Sequence, residues 1–591
     1  MTLARFDDLT PDAERSFRLE EPVGVLEARR PEEVPGVLET AEAAATRGLW
    51  VAGFVAYEAA PGLDPSLTVR PRTQGTPFAE LPLAWFALFA ERADATPLDP
   101  PAEIPDAAPD VWRPTVPREA YEAAIAEIRE RIAAGDTYQV NHTIRLRATL
   151  AGDDRGLYRD LALAQRGGYA AYLNAGRFHV ISASPELFFR LDGDRITTRP
   201  MKGTAPRGRW LAEDEEIRDR LLASAKDHAE NAMIVDLLRN DVGRISVAGG
   251  VDWTELFHAE RYETVWQLTS TIRADLLPGT GLAEIFRALF PSGSVTGAPK
   301  VATMRVIAEL EDSPRGVYCG AIGYLAPPGS GEPKAIFNVA IRTIVVDTAS
   351  AFAEYGVGGG VTFDSSASGE YAEILAKSRV LAAMRPAFAL LETVRWDAAA
   401  GFAHLPEHLA RMAASAAYLG FRFEPEEAVA VLEKAVADHG GPRARIRLLL
   451  ERDGRLAAEV GDLAEPAAGP IRVALDTEPV DPADAWLFHK TTRRAPYERR
   501  RERRPDVDDV VLRNTRGEVT ETTIANLAVR LGNRWLTPPR EAGLLAGTYR
   551  EVLLREGRLE ERPISVEELR AAEGIALVSS VQGWREAVLV P

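Results

Sequence analysis

Lys202 lies in the middle of a short stretch, residues 199 to 208, that reads Arg-Pro-Met-Lys-Gly-Thr-Ala-Pro-Arg-Gly. The neighbours of Lys202 either restrict or expose the backbone. Pro200 and Pro206 fix φ, and Gly203 allows a ligand to approach the main chain closely. The arginines at the two ends carry guanidinium groups that suit carboxylates. The stretch therefore indicates a loop shaped around an anion, with an ordinary basic surface turn as the alternative.

A first pair of acids occurs with helical spacing further along the chain. In the helix predicted from Ala225 to Leu238, Asp227 and Glu230 share a face with the apolar Ile234 and Leu237. Burying a carboxylate is costly unless it is paired or bound to a metal. This helix therefore indicates ligands for a hard cation such as Mg²⁺.

A second pair of acids, Glu370 and Glu373, lies in a predicted helix that follows the glycine-rich turn 356 to 360. Lys377 comes one turn later, so Glu373 and Lys377 also fit an ordinary surface ion pair. Two such helices that converge would form a magnesium site, whereas one helix alone would not.

Two further groups have residue types suited to catalysis or binding. Glu186 follows a proline in Ser-Ala-Ser-Pro-Glu, so its carboxyl group is either an acid presented to a cleft or a solvated turn residue. Arg342 lies near the end of a strand-like stretch, Phe337 to Thr343, and suits a carboxylate.

The elements that position these groups can be predicted from the apolar pattern. Residues 118 to 134 form a predicted helix with Tyr121, Ile125, Ile128 and Ile132 on one face and Gly135 as its end. The stretch from Gly135 to Asn141 alternates like a strand that enters a site. Residues 48 to 57 and 83 to 89 are predicted buried strands.

Composition limits the class of protein. A chain of 591 residues should contain more than one hydrophobic core, and 46% hydrophobic with 27% charged residues is ordinary for a globular protein. A net charge of −18 disfavours nucleic acid or an anionic membrane as the main partner. The chain lacks a signal-like N-terminus or a run long enough to span a bilayer, so we expect a cytoplasmic protein.

The motifs of the first half resemble those of one family, the chorismate-utilising enzymes, in the branch of aminodeoxychorismate synthase component I. The resemblance covers about residues 47 to 383. Its motifs, in order, are Gly-Asp-Thr-Tyr-Gln-Val-Asn, Ser-Pro-Glu, Met-Lys-Gly-Thr, Ala-Glu-Asn-Ala-Met-Ile-Val-Asp-Leu-Leu-Arg-Asn-Asp, Thr-Gly-Ala-Pro-Lys, Ala-Ile-Arg-Thr and Glu-Tyr-Ala-Glu. The resemblance implies a large α+β sandwich whose substrate lies between two β layers.

The resemblance also implies roles for the candidate residues. Lys202 would attack C2 of chorismate while the C4 hydroxyl leaves, and ammonia would then attack C4 and displace the lysine. Glu186 would be the general acid. The implied magnesium ligands are Glu230 and Glu373, with Asp227 and Glu370 nearby. The implied substrate-binding residues are Arg342, which would hold a carboxylate, Thr296, Gly297, Gly359, Gly360 and Lys377.

Two positions distinguish this chain from its relatives. Anthranilate synthases resemble it in most motifs but usually carry Ala where Lys202 stands, so the lysine favours amination at C4. Many relatives have a histidine where this chain has Gln267, which forms hydrogen bonds but does not shuttle protons as histidine does.

The second half resembles the fold-class IV pyridoxal phosphate enzymes and, among them, the aminodeoxychorismate lyases, from about Pro386 onward. The motifs that carry this resemblance are Phe-His-Lys-Thr-Thr-Arg, Val-Thr-Glu-Thr-Thr-Ile-Ala-Asn-Leu and Gly-Leu-Leu-Ala-Gly-Thr-Tyr-Arg. Lys490 would be the Schiff-base lysine and proton shuttle, and Glu521 would pair with the pyridine nitrogen. Arg411 and the backbone at Thr548 and Tyr549 would hold the phosphate.

The basic run from 499 to 504 is interpreted as a solvated helix face or a mobile loop.

Taken together, the sequence predicts an α+β chain with three segments: 1–110 and 111–384 as a chorismate-binding β-sandwich with helices, and 385–591 as a two-subdomain pyridoxal phosphate unit. The expected cofactors are Mg²⁺ and pyridoxal 5′-phosphate, and the expected product is 4-aminobenzoate, a step toward folate. The only cysteine, Cys319, lacks the surroundings of a glutaminase nucleophile, so a separate glutamine amidotransferase subunit should supply ammonia. A homodimer through the second half is a further hypothesis.

Three alternatives stay open from the sequence. The first half could be an anthranilate or isochorismate-type synthase. The second half could be a transaminase for branched-chain or D-amino acids, or a non-catalytic binding or regulatory module. Channelling between the two sites and an effector such as tryptophan in the N-terminal region are not decided by the sequence.

Overall fold

The structure is a computed structural model that describes residues 3–10, 15–101, 112–150, 152–382, 387–437, 439–463, 465 and 469–591. Its contacts divide the chain into two compact units. One consists of Met1–Pro206 with Arg218–Ala387, and the other of Arg207–Ile217 with Phe388–Pro591. The predicted boundaries at 110/111 and 384/385 lie outside the described residues. No helix in the described ranges is long and apolar enough to cross a membrane.

The described strands of the first unit are β1 (Leu3–Asp8), β2 (Arg15–Glu20), β3 (Gly24–Ala28), β4 (Trp50–Val55), β5 (Ala84–Phe89), β6 (Ala93–Asp94), β7 (Arg113–Pro114), β8 (Gln139–Thr149), β9 (Tyr169–Ala175), β10 (Phe178–Ser184), β11 (Leu187–Asp192), β12 (Arg195–Arg199), β13 (Met201–Pro206), β14 (Ser246–Arg261), β15 (Val265–Leu276), β16 (Gly297–Ala298), β17 (Ala321–Leu325), β18 (Ala335–Val339), β19 (Thr343–Asp347) and β20 (Phe352–Val361).

The described helices of the first unit are α1 (Val34–Thr46), α2 (Ala60–Leu63), α3 (Arg118–Ala133), α4 (Asp154–Gln165), α5 (Leu211–Leu222), α6 (Ala225–Gly243), α7 (Leu282–Leu289), α8 (Lys300–Leu310) and α9 (Ala367–Ser378). Helix α5 begins within the segment Arg207–Ile217 that groups with the second unit.

The strands form two ten-stranded sheets. One has the order β16-β8-β20-β19-β10-β9-β1-β2-β6, with β7 paired to β8. The other has the order β13-β15-β12-β11-β18-β17-β4-β5-β3, with β14 paired to β15. Aromatic side chains from both sheets meet in one core: the ring centroids of Phe17 on β2 and Tyr324 on β17 are 5.0 Å apart. The predicted α+β sandwich is confirmed.

Local sequence explains the helices that support the site. Helix α3 buries Tyr121, Ile125 and Ile128 on one face, as predicted, and the chain leaves it through Gly135 at φ 85°. Helix α6 begins at Ser224, whose hydroxyl accepts a hydrogen bond from the Asp227 backbone. It continues to Gly243, beyond the predicted end at Leu238.

The second unit contains two sheets. Its described strands are β21 (Leu390–Asp397), β22 (Gly401–Phe402), β23 (Arg443–Leu450), β24 (Leu456–Asp462), β25 (Ile471–Leu475), β26 (Asp509–Arg513), β27 (Val519–Thr522), β28 (Asn526–Leu531), β29 (Arg534–Thr537), β30 (Glu560–Glu561), β31 (Gly574–Ser579) and β32 (Gly583–Leu589). Its described helices are α10 (Leu405–Leu419), α11 (Pro425–Ala437), α12 (Ala495–Glu502), α13 (Thr548–Arg555) and α14 (Val566–Arg570).

Each sheet of the second unit forms its own subdomain. The smaller has the order β22-β21-β23-β24, and its core includes apolar residues of α10 and α11. The larger has the order β27-β26-β25-β32-β31-β28-β29-β30, and an additional pairing of β27 with β28 closes it into a barrel. This arrangement confirms the predicted two-subdomain α+β unit.

The basic run on α12 differs in part from its interpretation as a solvated face. The described residues of α12 are not buried, as predicted. However, Arg500 and Arg503 both form ion pairs with Asp476, which is only 4% exposed. The run is therefore partly structural, because its cations neutralise a buried carboxylate.

Candidate active sites

The first unit contains a cavity of about 270 Å³. Its lining brings together predicted residues that are far apart in the sequence, namely Glu186, Lys202, Glu230, Arg342, Glu373 and Lys377. Strand β13 supplies the lysine, helices α6 and α9 supply acids, and the glycine-rich end of β20 forms one wall. Cationic and acidic groups therefore face one enclosed space.

The backbone of Lys202 is fixed by a hydrogen bond, and its side chain lies over Gly360. The buried Asn231 amide donates to the Lys202 carbonyl at 3.1 Å and to that of Leu268 at 3.3 Å, and so ties α6 to β13 and β15. The Lys202 Nζ atom lies 3.8 Å from a Glu230 oxygen. Burial lowers the pKa of Lys202, and the Glu230 charge opposes this only in part. A larger share of the lysine is therefore present as the nucleophilic amine.

Glu186 is a buried carboxyl group with a proton available near neutral pH. It is 2% exposed. Burial raises the pKa of Glu186 to about 7, while a hydrogen bond with Ser294 and the Lys202 charge act in the opposite direction. Its backbone is fixed because the Val339 N–H donates to the Glu186 carbonyl at 3.0 Å. This is the pKa range in which a general acid works best.

The four predicted metal ligands all line the cavity, two from α6 and two from α9. Lys377 pairs with Glu373 at 2.7 Å and donates to the Gly358 carbonyl at 2.8 Å. Partial desolvation of Glu373 is outweighed by the Lys377 ammonium group, which holds the pKa of Glu373 below its ordinary value. Burial raises the pKa of Glu370, and its Oε2 atom is buried without a hydrogen-bond partner among the described residues.

These acids fit a magnesium ion that takes part of its coordination from elsewhere. Within the described ranges, no group of three His, Cys, Asp or Glu side chains is placed to hold a metal by itself. Mg²⁺ usually binds through one or two carboxylates together with water and substrate oxygens. A Cβ atom at Gly359 would lie 2.9 Å from Glu370 and 3.4 Å from Glu373, so the missing side chain leaves room for both carboxyl groups.

The remaining substrate-binding candidates are placed differently from one another. Arg342, Lys377 and Gly360 line the cavity, and Arg342 also donates to the Gln165 amide oxygen at 2.6 Å. Thr296 and Gly297 do not line it. The Thr296 hydroxyl donates to a backbone carbonyl at 3.0 Å, and Gly297 packs against β8 so tightly that a Cβ atom would overlap it. Both residues therefore form part of the wall beside the cavity, and their contact with substrate stays a prediction.

Sequence reasoning missed several polar residues near the cavity. Asn141, Ser294 and Ser365 line it, and the Gln139 amide lies close to the Lys202 amine over Gly360. Gln267, which replaces a histidine of many relatives, also lines the cavity and accepts a hydrogen bond from the Thr204 hydroxyl at 3.0 Å. The alternation in residues 135 to 141 indicated a strand entering a site, and it was the available signal for Gln139 and Asn141.

The second unit places Lys490 beside the small sheet. Its carbonyl accepts a hydrogen bond from the Leu391 backbone at 3.0 Å. Burial and the positive charge of Arg411 together lower the pKa of Lys490 to about 8, while Glu392 acts against them. An amine with this pKa suits both reaction with a carbonyl group and proton transfer.

Glu521 is the acid of this second site. It is 5% exposed, and burial raises the pKa of Glu521 to about 8. Tyr497 and Asn526 each donate to its carboxyl group at 3.4 Å. Arg494 and Lys490 act on Glu521 through their charge, but no described residue forms an ion pair with it. Such a buried carboxyl group fits the protonated ring nitrogen of pyridoxal phosphate as its partner.

A network of charged and polar side chains meets the N-terminus of α13. The Arg411 guanidinium donates to Glu392 at 2.6 Å and to the Ala546 carbonyl at 3.1 Å. His408 shares a hydrogen bond of 2.6 Å with Glu392 and contacts the Thr548 hydroxyl at 3.4 Å. Thr548 and Tyr549 are the first residues of α13. A cation at a helix N-terminus is a suitable site for the phosphate of the cofactor.

The segment Arg207–Ile217 belongs to the second unit, although the sequence interpretation placed it in the first. The Arg209 carbonyl lies 3.1 Å from Nε2 of His489, the residue before Lys490. The ring of Trp210 is 5.0 Å from that of Phe488. Asp214, only 1% exposed, pairs with Arg207 at 2.8 Å. Apolar and ionic contacts made far along the chain therefore determine which unit this segment joins.

The fold and the cavity of the first unit agree with its sequence relationships. The family model of chorismate binding enzymes matches residues 10–383, so the chain belongs to this family. The model of class IV amino-transferases matches residues 389–590.

Individual relatives agree with the first match. Aminodeoxychorismate synthase component 1 of Escherichia coli (strain K12) is 41% identical over 271 residues, which are 46% of this chain and 58% of that protein. The aminodeoxychorismate synthase of Streptomyces pristinaespiralis is 41% identical over 331 residues, 55% of this chain and 44% of that protein. The crystal structure of anthranilate synthase component I from Streptococcus pneumoniae TIGR4 matches with a TM-score of 0.54 and 26% identity, covering 63% of this chain and 92% of that one. The chain spans about half the length of these curated relatives.

Proposed function

We propose that the chain makes 4-aminobenzoate from chorismate in two steps, as part of folate biosynthesis in the cytoplasm. The first unit would aminate chorismate at C4, and the second would release pyruvate from 4-amino-4-deoxychorismate. One observation carries the proposal: the amine of Lys202 and the protonatable Glu186 face the same cavity as the paired acids of α6 and α9. The 4-amination branch is supported by Lys202 and by the similarity to aminodeoxychorismate synthases.

In the first step, a bond forms between Lys202 Nζ and C2, the ring double bonds shift, and the C4–O bond breaks. Glu186 gives its proton to the departing hydroxyl group, which leaves as water, and then regains one from the new ammonium centre. Ammonia next forms a bond to C4, the double bonds return, and the C2–N bond breaks as Glu186 gives its proton to the lysine nitrogen and takes one from the new ammonium group at C4, which releases the lysine amine. The sum is chorismate plus ammonia giving aminodeoxychorismate plus water.

Several groups would hold the dicarboxylate substrate during this step. Arg342 is placed to bind one carboxylate. Mg²⁺ held by Glu230 and Glu373, with Asp227 and Glu370 nearby, would supply a positive charge for the other.

In the second step, Lys490 would remove the C4 proton of aminodeoxychorismate. The C3–O bond then breaks, the ring becomes aromatic, and the enolpyruvyl group takes up a proton to become pyruvate. Pyridoxal phosphate, when bound, supplies the electron sink for this reaction. Glu521 would pair with its ring nitrogen, while Arg411 and the backbone of Thr548 and Tyr549 would bind its phosphate.

We further propose that a separate glutamine amidotransferase supplies the ammonia. Cys319 is the sole cysteine in the sequence, it is fully buried, and burial raises its pKa to about 11. Such a thiol is a poor nucleophile. The chain should therefore work with free ammonia but not with glutamine alone. We also propose a homodimer that forms through the second unit. If light scattering shows a monomer that retains full lyase activity, this proposal is refuted.

The deciding experiment is product analysis of the purified chain with chorismate, Mg²⁺, ammonia and pyridoxal phosphate. Wild type should give 4-aminobenzoate and pyruvate. Lys202→Ala should stop amination or divert it to anthranilate, and Lys490→Ala should accumulate aminodeoxychorismate. Lys434→Ala, an exposed position on α11, is the matched control and should behave as wild type.

The same analysis separates the alternatives. A mixture of the Lys202→Ala and Lys490→Ala variants should recover 4-aminobenzoate, because each retains one intact unit. Anthranilate from wild type would contradict the assignment of the first unit. Accumulation of aminodeoxychorismate by wild type, together with a spectral response of the aminated cofactor to 2-oxo acids, would assign the second unit to a transaminase instead.

A further inference from the structure

Gln139, the first residue of β8, is a buried polar side chain that the proposed reaction does not yet use. It is 0% exposed. Both the oxygen and the nitrogen of its amide are buried without a hydrogen-bond partner among the described residues. An unpaired buried amide destabilises a fold, so its presence calls for a functional reason.

The Gln139 amide lies next to the nucleophilic lysine. A Cβ atom added to Gly360 would overlap both the Lys202 Nζ atom and the Gln139 Nε2 atom, so the two nitrogens are neighbours above the same glycine. Gln139 does not line the cavity, whereas Lys202 does. The amide therefore lies beside the lysine and outside the set of residues that line the cavity.

This position matches a geometric need of the reaction. A neutral amine has one lone pair, and that lone pair must face the substrate when the C2–N bond forms. Its N–H groups then point away, toward the cavity wall, where an acceptor would hold them. A half-turn of the amide group exchanges its nitrogen and oxygen, so Gln139 can present either one to the lysine.

We propose that Gln139 is a positioning residue for Lys202, and that its amide oxygen accepts a hydrogen bond from the lysine amine as the lysine attacks C2. This inference rests on the proposed function of the first unit. Gln139 takes no proton and forms no covalent bond. It acts only by limiting the orientations of a long, flexible side chain.

The test compares Gln139→Leu with Gln139→Glu in the full-length protein. Leucine fills a similar volume without hydrogen-bonding atoms, while glutamate keeps an acceptor oxygen. Chorismate and Mg²⁺ are added without ammonia, and the covalent adduct on Lys202 is followed by rapid quenching and mass spectrometry. Gln139→Leu should lower the maximal rate of adduct formation by on the order of tenfold, with the half-saturating chorismate concentration unchanged.

The controls separate positioning from packing. The charge of Gln139→Glu also raises the pKa of Lys202, so each variant is measured at its own pH optimum, where Gln139→Glu should stay within about threefold of wild type because one hydrogen bond to the lysine is retained. Thr198, on β12 outside the cavity, also has a buried polar group without a described partner, its hydroxyl. Thr198→Val removes this hydroxyl and should leave the rate unchanged. If Gln139→Leu does not fold, Gln139→Met takes its place.

The outcomes distinguish this inference from the function on which it rests. If wild type forms neither adduct nor aminated product, the proposed function fails, and the inference fails with it. If wild type reacts and Gln139→Leu reacts equally fast, the function stands and Gln139 is only a packing residue. Equal losses in the leucine and glutamate variants would also overturn the inference, because the acceptor oxygen would then be irrelevant.

Discussion

Glu186 should control how the first reaction step depends on pH. Its carboxyl group has a pKa of about 7 in place of the ordinary 4.5, because it is buried. At pH 7.5 these values correspond to protonated fractions of about 24% and about 0.1%, so burial increases the available acid about 240-fold. A group with a raised pKa is protonated below that value and loses its proton as the pH rises through it. The protonated fraction of Glu186 should therefore fall about eightfold between pH 7.5 and 8.5, and adduct formation should decline with it once Lys202 is in its amine form.

The assay is single-turnover formation of the Lys202 adduct from chorismate and Mg²⁺ between pH 6 and 9, without ammonia. Omitting ammonia is essential because its own protonation changes over this range. Glu186→Gln should reduce the rate by about 10² to 10⁴ and remove the alkaline decline. Glu130→Gln, at an exposed position on α3, is the matched control and should leave both features intact.

Two results would refute this reasoning. One is a Glu186→Gln variant that reacts as fast as wild type, because the carboxyl group would then give no proton. The other is an alkaline decline that persists in Glu186→Gln, because the titrating group would then be a different one.

Four further predictions concern both units. Gly360→Ala should slow amination and leave the lyase step intact, because the new methyl group would displace the flexible Lys202 amine from its position, whereas Gly243→Ala, which has open space, should have no effect on either activity. Glu521→Gln should slow pyruvate release from added aminodeoxychorismate by more than about tenfold with amination unchanged, as measured by a coupled pyruvate assay; an equal loss of both activities would contradict this. Cys319 should resist thiol reagents until the protein unfolds, and Cys319→Ala should retain ammonia-dependent activity. Chelation of divalent metal should stop amination but not the lyase step, with recovery on adding Mg²⁺; an unaffected amination rate would remove the metal from the proposal.

Much of the site could be predicted because its signals are local. The i,i+3 spacing of Asp227 with Glu230, and of Glu370 with Glu373, placed both pairs on helix faces, and the helices α6 and α9 carry them into one cavity. The motif around Lys202 likewise marked it as a candidate, and the structure brings its side chain to the same cavity. The two sheets of the first unit and the two subdomains of the second were expected from resemblance to known folds, and periodicity alone would not have defined them.

The sequence by itself determined residue identity, local periodicity and motif order, since these depend on neighbours along the chain. Only the tertiary structure decided which groups meet and how strongly each is desolvated. It gave Glu186 its raised pKa and put Gln139 beside Lys202. The physical reason is that burial and hydrogen bonding depend on contacts between residues distant in sequence, and the same reason places the segment Arg207–Ile217 in the second unit.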